Sequence, residues 1–327
     1  MREITFLQGI NEAVDEEMKR DPKVFIIGED IGKHWGGAIG ELKGLFDKYG
    51  PKRVLDTPIS ETAILGGAIG AAATGMRPIA YMYFVDFLGV CGDELINHLT
   101  KMRYMFGGKI KVPLTITAYT GAGISAADSH SKTLYGWLMA VPGLQIVVPS
   151  TAYDAKGLLK SAIREDNPVI FLEHKALLFG GAKSEIPEEE YTIPLGKADI
   201  KRKGSDVTVV AIALMVHRAL AAADKLQEKG ISIEVIDPRT LVPLDKKAII
   251  DSVKKTGRLV IMDEDPKTGG AAGEIAAIVA EEAFSSLKAP IKRVCPPDTP
   301  VPFSPALEKF WLPDEEKLIK AVTEIAI

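Results

Sequence analysis

The sequence is poor in the features that mark several classes of protein. Its 327 residues include only two cysteines, Cys91 and Cys295, which cannot build a disulfide framework and lack the spacing of a metal site. Free thiols fit a reducing compartment, so we expect a cytoplasmic protein. The net charge of -4 gives no basic surplus for nucleic acid, which we do not expect as a partner.

Long apolar segments are also missing. The sequence has no run of about 18 apolar residues that could cross a membrane, so we expect no membrane segment. The N-terminal stretch carries Glu3 and Glu12 among its apolar residues, which is unlike a signal peptide and too acidic for a transit peptide. Apolar residues make up 46% and charged residues 26%, the balance of a soluble globular protein.

Strand-like apolar runs alternate with helical patterns, which predicts parallel sheets covered by helices. In the first half, the predicted strands are Val24–Gly28, Pro78–Phe84, Pro113–Ala118, Leu144–Val148 and Pro168–Glu173. The predicted helices are Thr5–Arg20, Glu61–Thr74, Asp86–Met105 and Ala152–Glu165.

A second alternation follows a segment in which the periodicity fades. Residues 176–204 contain two prolines and the acidic run Glu188–Glu190, which is typical of a linker. After it come predicted strands at Val207–Ala213, Ser232–Ile236 and Arg258–Met262, with helices between and after them. The sequence therefore predicts an α/β protein of two domains, residues 1–175 and a smaller domain at 205–327.

The segment DTPISETAILGGAIGAAATG, residues 56–75, is the most informative for function. Ser60 is a candidate N-cap, which places Glu61 in the first turn of a helix made almost entirely of small and apolar residues. A helix without a polar face is expected to be buried. Glu61 then has two interpretations: an acid stabilised by the helix dipole, or an acid that meets a ligand.

Several strings resemble one enzyme family in order and spacing: VFIIGEDIG, RVLDTPISET, RYMFGGK, VPGLQIVVPS, VIDPRTLVPLD and TPVPFSPALEKFWLPD. Over essentially its whole length the chain resembles transketolase-like enzymes, and most closely the beta subunits of pyruvate, branched-chain and acetoin dehydrogenase complexes. The resemblance implies a pyrimidine-binding domain at residues 1–175 and a transketolase-type C-terminal domain at 205–327.

The resemblance implies a site for thiamine diphosphate. Glu61 matches the family glutamate that hydrogen-bonds the aminopyrimidine ring and favours the imino tautomer needed to activate the cofactor. Glu29 matches a position near the cofactor, and Phe84 matches an aromatic that stacks on the pyrimidine. The alternative for Glu29 is a surface acid at a strand end. The stretch YMYFVDF also contains Phe87, for which ordinary core packing is the alternative.

His130 is the second predicted catalytic residue. It lies in the polar loop TGAGISAADSHSKT, and the resemblance implies that it transfers protons or guides a lipoyl group. Its neighbours Ser129 and Lys132 depart from the family pattern, which has glutamines around His-Ser. The other histidines, among them His174, are expected on the surface.

The same family resemblance also implies a potassium site. The residues concerned are Leu114, Ala162, Ile163, Glu165 and Asn167, whose backbone carbonyls would surround the ion. An ordinary helix end, whose last carbonyls lack intrahelical partners, is the alternative.

The pyrophosphate end of the cofactor has no evident host in this chain. The family binds it with magnesium through a Gly-Asp-Gly…Asn motif, and the sequence contains no Gly-Asp-Gly. The nearest string, GDELIN, falls in a helical pattern. We therefore expect an alpha subunit that carries this motif and most of the magnesium ligands, in a heterotetramer of two alpha and two beta subunits.

The resemblance implies cleavage of acetoin and transfer of the acetyl unit to the lipoyl group of a dihydrolipoyl acyltransferase. Pyruvate and a branched-chain 2-oxo acid are the alternative substrates. A transketolase-like half-enzyme and a non-catalytic assembly subunit are alternatives of other classes.

Overall fold

The chain folds into alternating strands and helices, which confirms the predicted α/β class, and the computed structural model describes residues 1–326. The strands are β1 (Arg2–Thr5), β2 (Val24–Glu29), β3 (Val54–Thr57), β4 (Arg77–Phe84), β5 (Thr115–Thr120), β6 (Gln145–Val147), β7 (Val169–His174), β8 (Lys183–Ile186), β9 (Asp199–Arg202), β10 (Val207–Ala211), β11 (Ile233–Asp237), β12 (Thr240–Val242), β13 (Leu259–Met262) and β14 (Lys292–Val294). The α-helices are α1 (Phe6–Arg20), α2 (Leu45–Tyr49), α3 (Glu61–Ala73), α4 (Thr100–Met105), α5 (Tyr135–Met139), α6 (Ala152–Arg164), α7 (Lys175–Phe179), α8 (Leu214–Glu228), α9 (Lys246–Thr256), α10 (Ala271–Ala283), α11 (Pro305–Trp311) and α12 (Glu315–Ala326).

The chain divides into two compact units. The N-terminal unit comprises Met1–Thr120 and Ala140–Leu195, and the C-terminal unit comprises Gly121–Met139 and the chain from Gly196 onward. The sequence places Gly121–Met139 within the first domain, and the structure groups this segment with the second. The physical reason is a set of long-range hydrogen bonds to carboxylates near residues 264 and 308, which no local pattern reveals.

A parallel sheet organises the N-terminal unit. Its strands lie in the order β6-β7-β5-β4-β2-β3, and every neighbouring pair is parallel. Side chains such as those of Ile26, Ile116 and Ile170 are fully buried, as expected for a parallel sheet covered on both faces. Helix α1 begins with a capping box, in which Thr5 and Gln8 exchange side-chain and backbone hydrogen bonds.

The C-terminal unit has its own sheet and core. Strands β14, β13, β10 and β11 are parallel, and β9 joins β11 antiparallel at the edge. Helices α8 and α12 lie against each other, and Val209, Leu226 and Leu318 are among the side chains that form the buried cluster. None of the helices in residues 1–326 combines the length and the apolar character needed to cross a membrane.

Two predicted elements differ from the structure. The single helix predicted at Asp86–Met105 is divided into a 3-10 helix at Val85–Gly89, a π-helix at Glu94–Leu99 and α4. Gly89 lies at the end of the 3-10 helix and Gly92 lies between it and the π-helix, and the helix is interrupted there because glycine destabilises helical backbone. The predicted linker at 176–204 contains the strands β8 and β9, which are four residues long and mostly charged and therefore show no apolar periodicity.

Candidate active site

The candidate site lies at the carboxyl ends of adjacent parallel strands. Strands β3, β2, β4 and β5 are neighbours, and in them Glu29 is opposite Thr57 and Phe84 is opposite Tyr119. Glu61 follows shortly after β3, as the first residue of α3. Three predicted cofactor residues, Glu29, Glu61 and Phe84, are therefore brought to one edge of the sheet, where parallel α/β folds bind ligands.

Glu29 and Glu61 form an acidic pair at this edge. Burial raises the pKa of the Glu29 carboxyl above its ordinary value, and the negative charges of Glu61 and Asp30 add to the effect. Oε2 of Glu29 is shielded from solvent and has no hydrogen-bond partner within residues 1–326. A buried polar atom of this kind is costly unless a ligand satisfies it. The pair thus suits a ligand that presents N–H donors, as an aminopyrimidine does.

Helix α3 differs from the sequence prediction in two respects. Ser60 stands at the N-cap position, but its side chain accepts no hydrogen bond from the first turn; its hydroxyl donates to the carbonyl of Ile59 at 2.7 Å. The helix is also not buried all round. Its larger side chains face the core, while an exposed face of small residues remains; this face consists of Thr62, Ala63, Gly66, Gly67 and Gly70.

Phe84 is fixed at the end of β4 by three neighbours. Its ring makes edge contacts with Phe87 and Tyr119, each with centroids 5.7 Å apart. The ammonium group of the fully buried Lys175 lies 5.4 Å from the ring centroid, a cation–π contact. The ring is only half-buried, so a fixed aromatic surface remains at the site.

A buried polar cluster beside Phe84 was missed from the sequence. The hydroxyl of Tyr119 donates to Oε1 of Glu41, whose Oε2 accepts the N–H of Ile39 at 3.1 Å. Both oxygens of the buried Glu173 lack a hydrogen-bond partner in the described chain, and burial followed by the charge of Glu41 holds its pKa well above the usual range. Glu41 stands alone among glycines in GGAIGELKG, which is the one signal that could have found it.

Gly37 shows how closely the chain approaches this cluster. Its φ is +94°, and a Cβ built at this position would lie 2.3 Å from the carboxyl carbon of Glu41. A side chain here would displace the glutamate. The glycine-rich string therefore permits residues 29–44 to fold over the carboxylate.

His130 lies in the C-terminal unit, in a 3-10 turn at Asp128–His130. Oγ of Ser129 is 2.9 Å from Nδ1 of the imidazole. Nζ of Lys132 donates to the carbonyl of Asp128 at 2.9 Å and lies 3.1 Å from its carboxylate. The two residues that depart from the family pattern thus shape the turn around His130, because one contacts the imidazole and the other holds the chain before it.

The predicted potassium residues lie at the opposite, amino-terminal edge of the sheet in the N-terminal unit. Arg77 donates to the carbonyls of Ile163 and Glu165 at 3.1 and 3.0 Å, and its charge is met by Asp166 at 2.6 Å. The carbonyl of Leu114 accepts the N–H of Val169 at 3.0 Å. Each carbonyl oxygen has a second lone pair, so these contacts leave acceptor capacity for a cation.

His174 is not on the surface as predicted. It ends the buried strand β7, where every residue is shielded, and Nδ1 accepts the N–H of Ala176 at 3.2 Å. The imidazole therefore caps α7. The prediction of a surface position is wrong because a parallel strand buried on both faces encloses His174 together with Glu173.

Two family models match the chain. The transketolase pyrimidine binding domain matches residues 2–180, and the transketolase C-terminal domain matches residues 196–318. A solved structure described as a split-gene transketolase, inactive beta4 tetramer, has a TM-score of 0.82 at 24% identity and covers 99% of this chain and 98% of its own. That likeness shows the fold.

Curated relatives are similar over nearly their full lengths. The beta subunit of acetoin:2,6-dichlorophenolindophenol oxidoreductase from Cupriavidus necator is 51% identical over 98% of this chain and 96% of its own length. Its counterpart from Bacillus subtilis is 50% identical over 99% and 97%. The beta subunit of 2-oxoisovalerate dehydrogenase from Bacillus subtilis is 44% identical over 100% and 99%.

Proposed function

This chain belongs to the transketolase-like family that includes the beta subunits of acetoin and 2-oxo acid dehydrogenases, and we propose that it is the beta subunit of a thiamine-diphosphate-dependent acetoin dehydrogenase. The observation that carries the proposal is the placement of Glu29, Glu61 and Phe84 at one edge of the parallel sheet. The similarity at about half of all positions to two acetoin oxidoreductase beta subunits supports the substrate.

The residues at this edge fit the pyrimidine end of the cofactor. Thiamine diphosphate supplies, when bound, the carbanion-stabilising chemistry that cleaves a bond next to a carbonyl. Glu61 would accept a hydrogen bond from a ring N–H and so keep the proton on that nitrogen, while Glu29 would offer the buried Oε2 to a further N–H donor. Phe84 supplies the fixed aromatic surface.

The proposal divides the cofactor between two polypeptides. An alpha subunit with a Gly-Asp-Gly motif binds the pyrophosphate and most of the magnesium coordination. The exposed small-residue face of α3 supports close packing against another chain, because small side chains allow two backbones to approach. The assembly is a cytoplasmic heterotetramer of two alpha and two beta subunits.

Cleavage of acetoin releases acetaldehyde and leaves a two-carbon unit. This unit is oxidised to acetyl as it passes to the lipoyl group of a dihydrolipoyl acyltransferase, whose disulfide is reduced in the same step. His130 acts at this stage, since an imidazole both donates and accepts protons near neutral pH. Its turn is set by the Ser129 and Lys132 contacts. The proposal also includes a potassium ion, bound by the backbone carbonyls beside Arg77, with a structural role.

The test is reconstitution with the alpha subunit encoded in a neighbouring reading frame. We expect thiamine-diphosphate-dependent reduction of 2,6-dichlorophenolindophenol with acetoin, and acetyl transfer to a lipoyl domain. Faster turnover of pyruvate or 2-oxoisovalerate would move the substrate assignment to a 2-oxo acid. Transfer of two-carbon units between sugars without a lipoyl acceptor would favour a transketolase half-enzyme. Tight binding of thiamine diphosphate by the chain alone, measured by calorimetry, would contradict the division of the cofactor.

A further inference from the structure

The loop that carries His130 is held by a carboxylate from a distant part of the C-terminal unit. Glu308, on α11, accepts the N–H of Gly123 at 2.8 Å and the N–H of Ser125 at 2.9 Å. The hydroxyl of Ser125 adds a third hydrogen bond at 3.1 Å. The Glu308 side chain is only 4% exposed, so these bonds lie away from competing water. Hydrogen bonds to an ionised carboxylate are stronger than those between neutral groups.

Two further carboxylates fix the ends of the same loop. Oε1 of Glu264 accepts the N–H of Ala122 at 2.5 Å. Asp265 accepts the N–H groups of Tyr135 at 3.2 Å and Gly136 at 2.8 Å, and the hydroxyl of Thr133. The ends of the His130 loop are thus tied to the strand end after β13, while Glu308 holds the part that leads into the turn.

The loop has a backbone that would not keep its shape unaided. Ser125, Ala127 and Leu134 have φ values of +56°, +62° and +56°, in the left-handed region that residues other than glycine rarely adopt. Such conformations persist only where the surroundings enforce them, and they cluster at functional sites. Ser125 is the residue that Glu308 binds through both backbone and side chain.

We propose that Glu308 is a positioning residue, which sets the place of the His130 imidazole by holding Gly123 and Ser125. The inference rests on the proposed role of His130 and goes beyond it, because it assigns a function in acetyl transfer to a carboxylate on α11. Glu308 does not itself touch the reacting atoms. Its effect on the reaction passes through His130.

The test is a double-mutant cycle in the complex reconstituted with the alpha subunit. Glu308→Gln keeps the size of the side chain but removes its charge and turns an amide N–H group toward backbone donors. We expect Glu308→Gln to lower the rate of acetyl transfer to a lipoyl domain by about 10- to 100-fold, the effect of a misplaced catalytic group. In a His130→Ala background it should cause no further loss, because residues that act as one unit are not additive. Glu316→Gln, on the exposed face of α12, is the matched control. It should leave the rate of acetyl transfer unchanged in the parent and in the His130→Ala background.

Equal losses from Glu308→Gln in the two backgrounds would overturn the proposal and leave Glu308 a residue of the fold. Normal transfer by His130→Ala would also overturn it, while acetoin turnover by the same complex would still support the proposed function. Amide hydrogen exchange supplies a readout independent of activity. We expect the peptide with Gly123 and Ser125 to exchange about tenfold faster in Glu308→Gln, and unchanged exchange would contradict the anchoring whether or not the complex turns over acetoin.

Ser125→Ala is the milder variant, should Glu308→Gln fail to assemble. It removes one of the three hydrogen bonds and leaves both backbone bonds in place. We expect a smaller loss of acetyl transfer, again absent in the His130→Ala background. A loss that persists in that background would count against the positioning role.

Discussion

The hydroxyl of Tyr119 donates a hydrogen bond to Oε1 of Glu41, and both side chains are shielded from solvent inside the N-terminal unit. Burial raises the pKa of the Glu41 carboxyl, although the Tyr119 hydroxyl and the N–H of Ile39 partly oppose the rise. Burial and the charge of Glu41 likewise hold the pKa of Tyr119 well above its usual range. Burial therefore disfavours the charged forms of both groups.

The raised pKa of Glu41 gives a pH dependence of stability. In the unfolded chain the carboxyl titrates near 4.5, and in the folded chain it titrates higher, so between these values the folded state holds more protons. The contribution of Glu41 to stability is thus fully present below the unfolded pKa and is lost as pH rises through the folded pKa. Glu41→Gln removes this loss, so we expect its melting temperature relative to the parent to be higher at pH 8 than at pH 5.

Tyr119→Phe is the control for the Glu41 prediction. It removes the hydrogen bond, at a cost of about 1 kcal/mol, but leaves the carboxyl to titrate. Its melting temperature should fall at every pH and should decline with rising pH at least as steeply as that of the parent, because the Tyr119 hydroxyl opposes the rise in the Glu41 pKa. If the melting temperatures of Glu41→Gln and of the parent change by the same amount between pH 5 and pH 8, Glu41 does not titrate as described.

Glu61→Ala separates the two interpretations of that residue. If Glu61 only stabilises the start of α3, its loss costs about 0.3–1 kcal/mol and turnover is unchanged. If it holds a proton on the cofactor ring, we expect acetoin turnover to fall by about 10²–10⁴-fold with assembly intact. Dye reduction and sedimentation of the reconstituted complex measure the two effects. Glu315→Ala, in the first turn of α12, is the matched control and should retain full turnover.

The sequence predicted the order of the main elements because their apolar periodicity is local. The polarity of the residues in α3 could not predict which face of the helix is exposed, because all of them except Glu61 and Thr62 are small or apolar. The structure separates them by size: Ile64, Leu65 and Ile69 face the core, and glycines face outward. Reading side-chain size at the helical period would have found this face.

The grouping of the His130 loop lay beyond sequence reasoning for another reason. Ser125 and Glu308 are 183 residues apart, and their contact leaves no periodic trace. The same holds for Tyr119 and Glu41, which are 78 residues apart. Motif likeness proposed Glu29, Glu61 and Phe84 as cofactor residues, whereas the side chains that contact Phe84 and the His130 loop became visible only in three dimensions.

If the chain binds potassium, its thermal stability should depend on which cation is in solution. A ligand that binds only the folded state stabilises it in proportion to the logarithm of its concentration. If the carbonyls of Ile163 and Glu165 accept an ion beside Arg77, the melting temperature should rise with KCl relative to NaCl at equal ionic strength. Choline chloride controls for screening of the Arg77–Asp166 pair. Identical melting curves in the three salts would remove potassium from the proposal.

Gly70→Leu tests whether the small-residue face of α3 packs against another chain. A Cβ at Gly70 meets no atom within 4 Å in the described chain, so the larger side chain fits the isolated subunit. Leucine is also a better helix former than glycine, which is about 0.8–1.0 kcal/mol less favourable than alanine, so the melting temperature of the chain alone should hold or rise. In a close-packed interface the same side chain has no room, and overpacking costs about 1–3 kcal/mol or more. We therefore expect loss of the heterotetramer in analytical ultracentrifugation and loss of acetoin turnover. Ala221→Leu, on the exposed face of α8, should leave both intact, and normal assembly by Gly70→Leu would place the partner contact elsewhere.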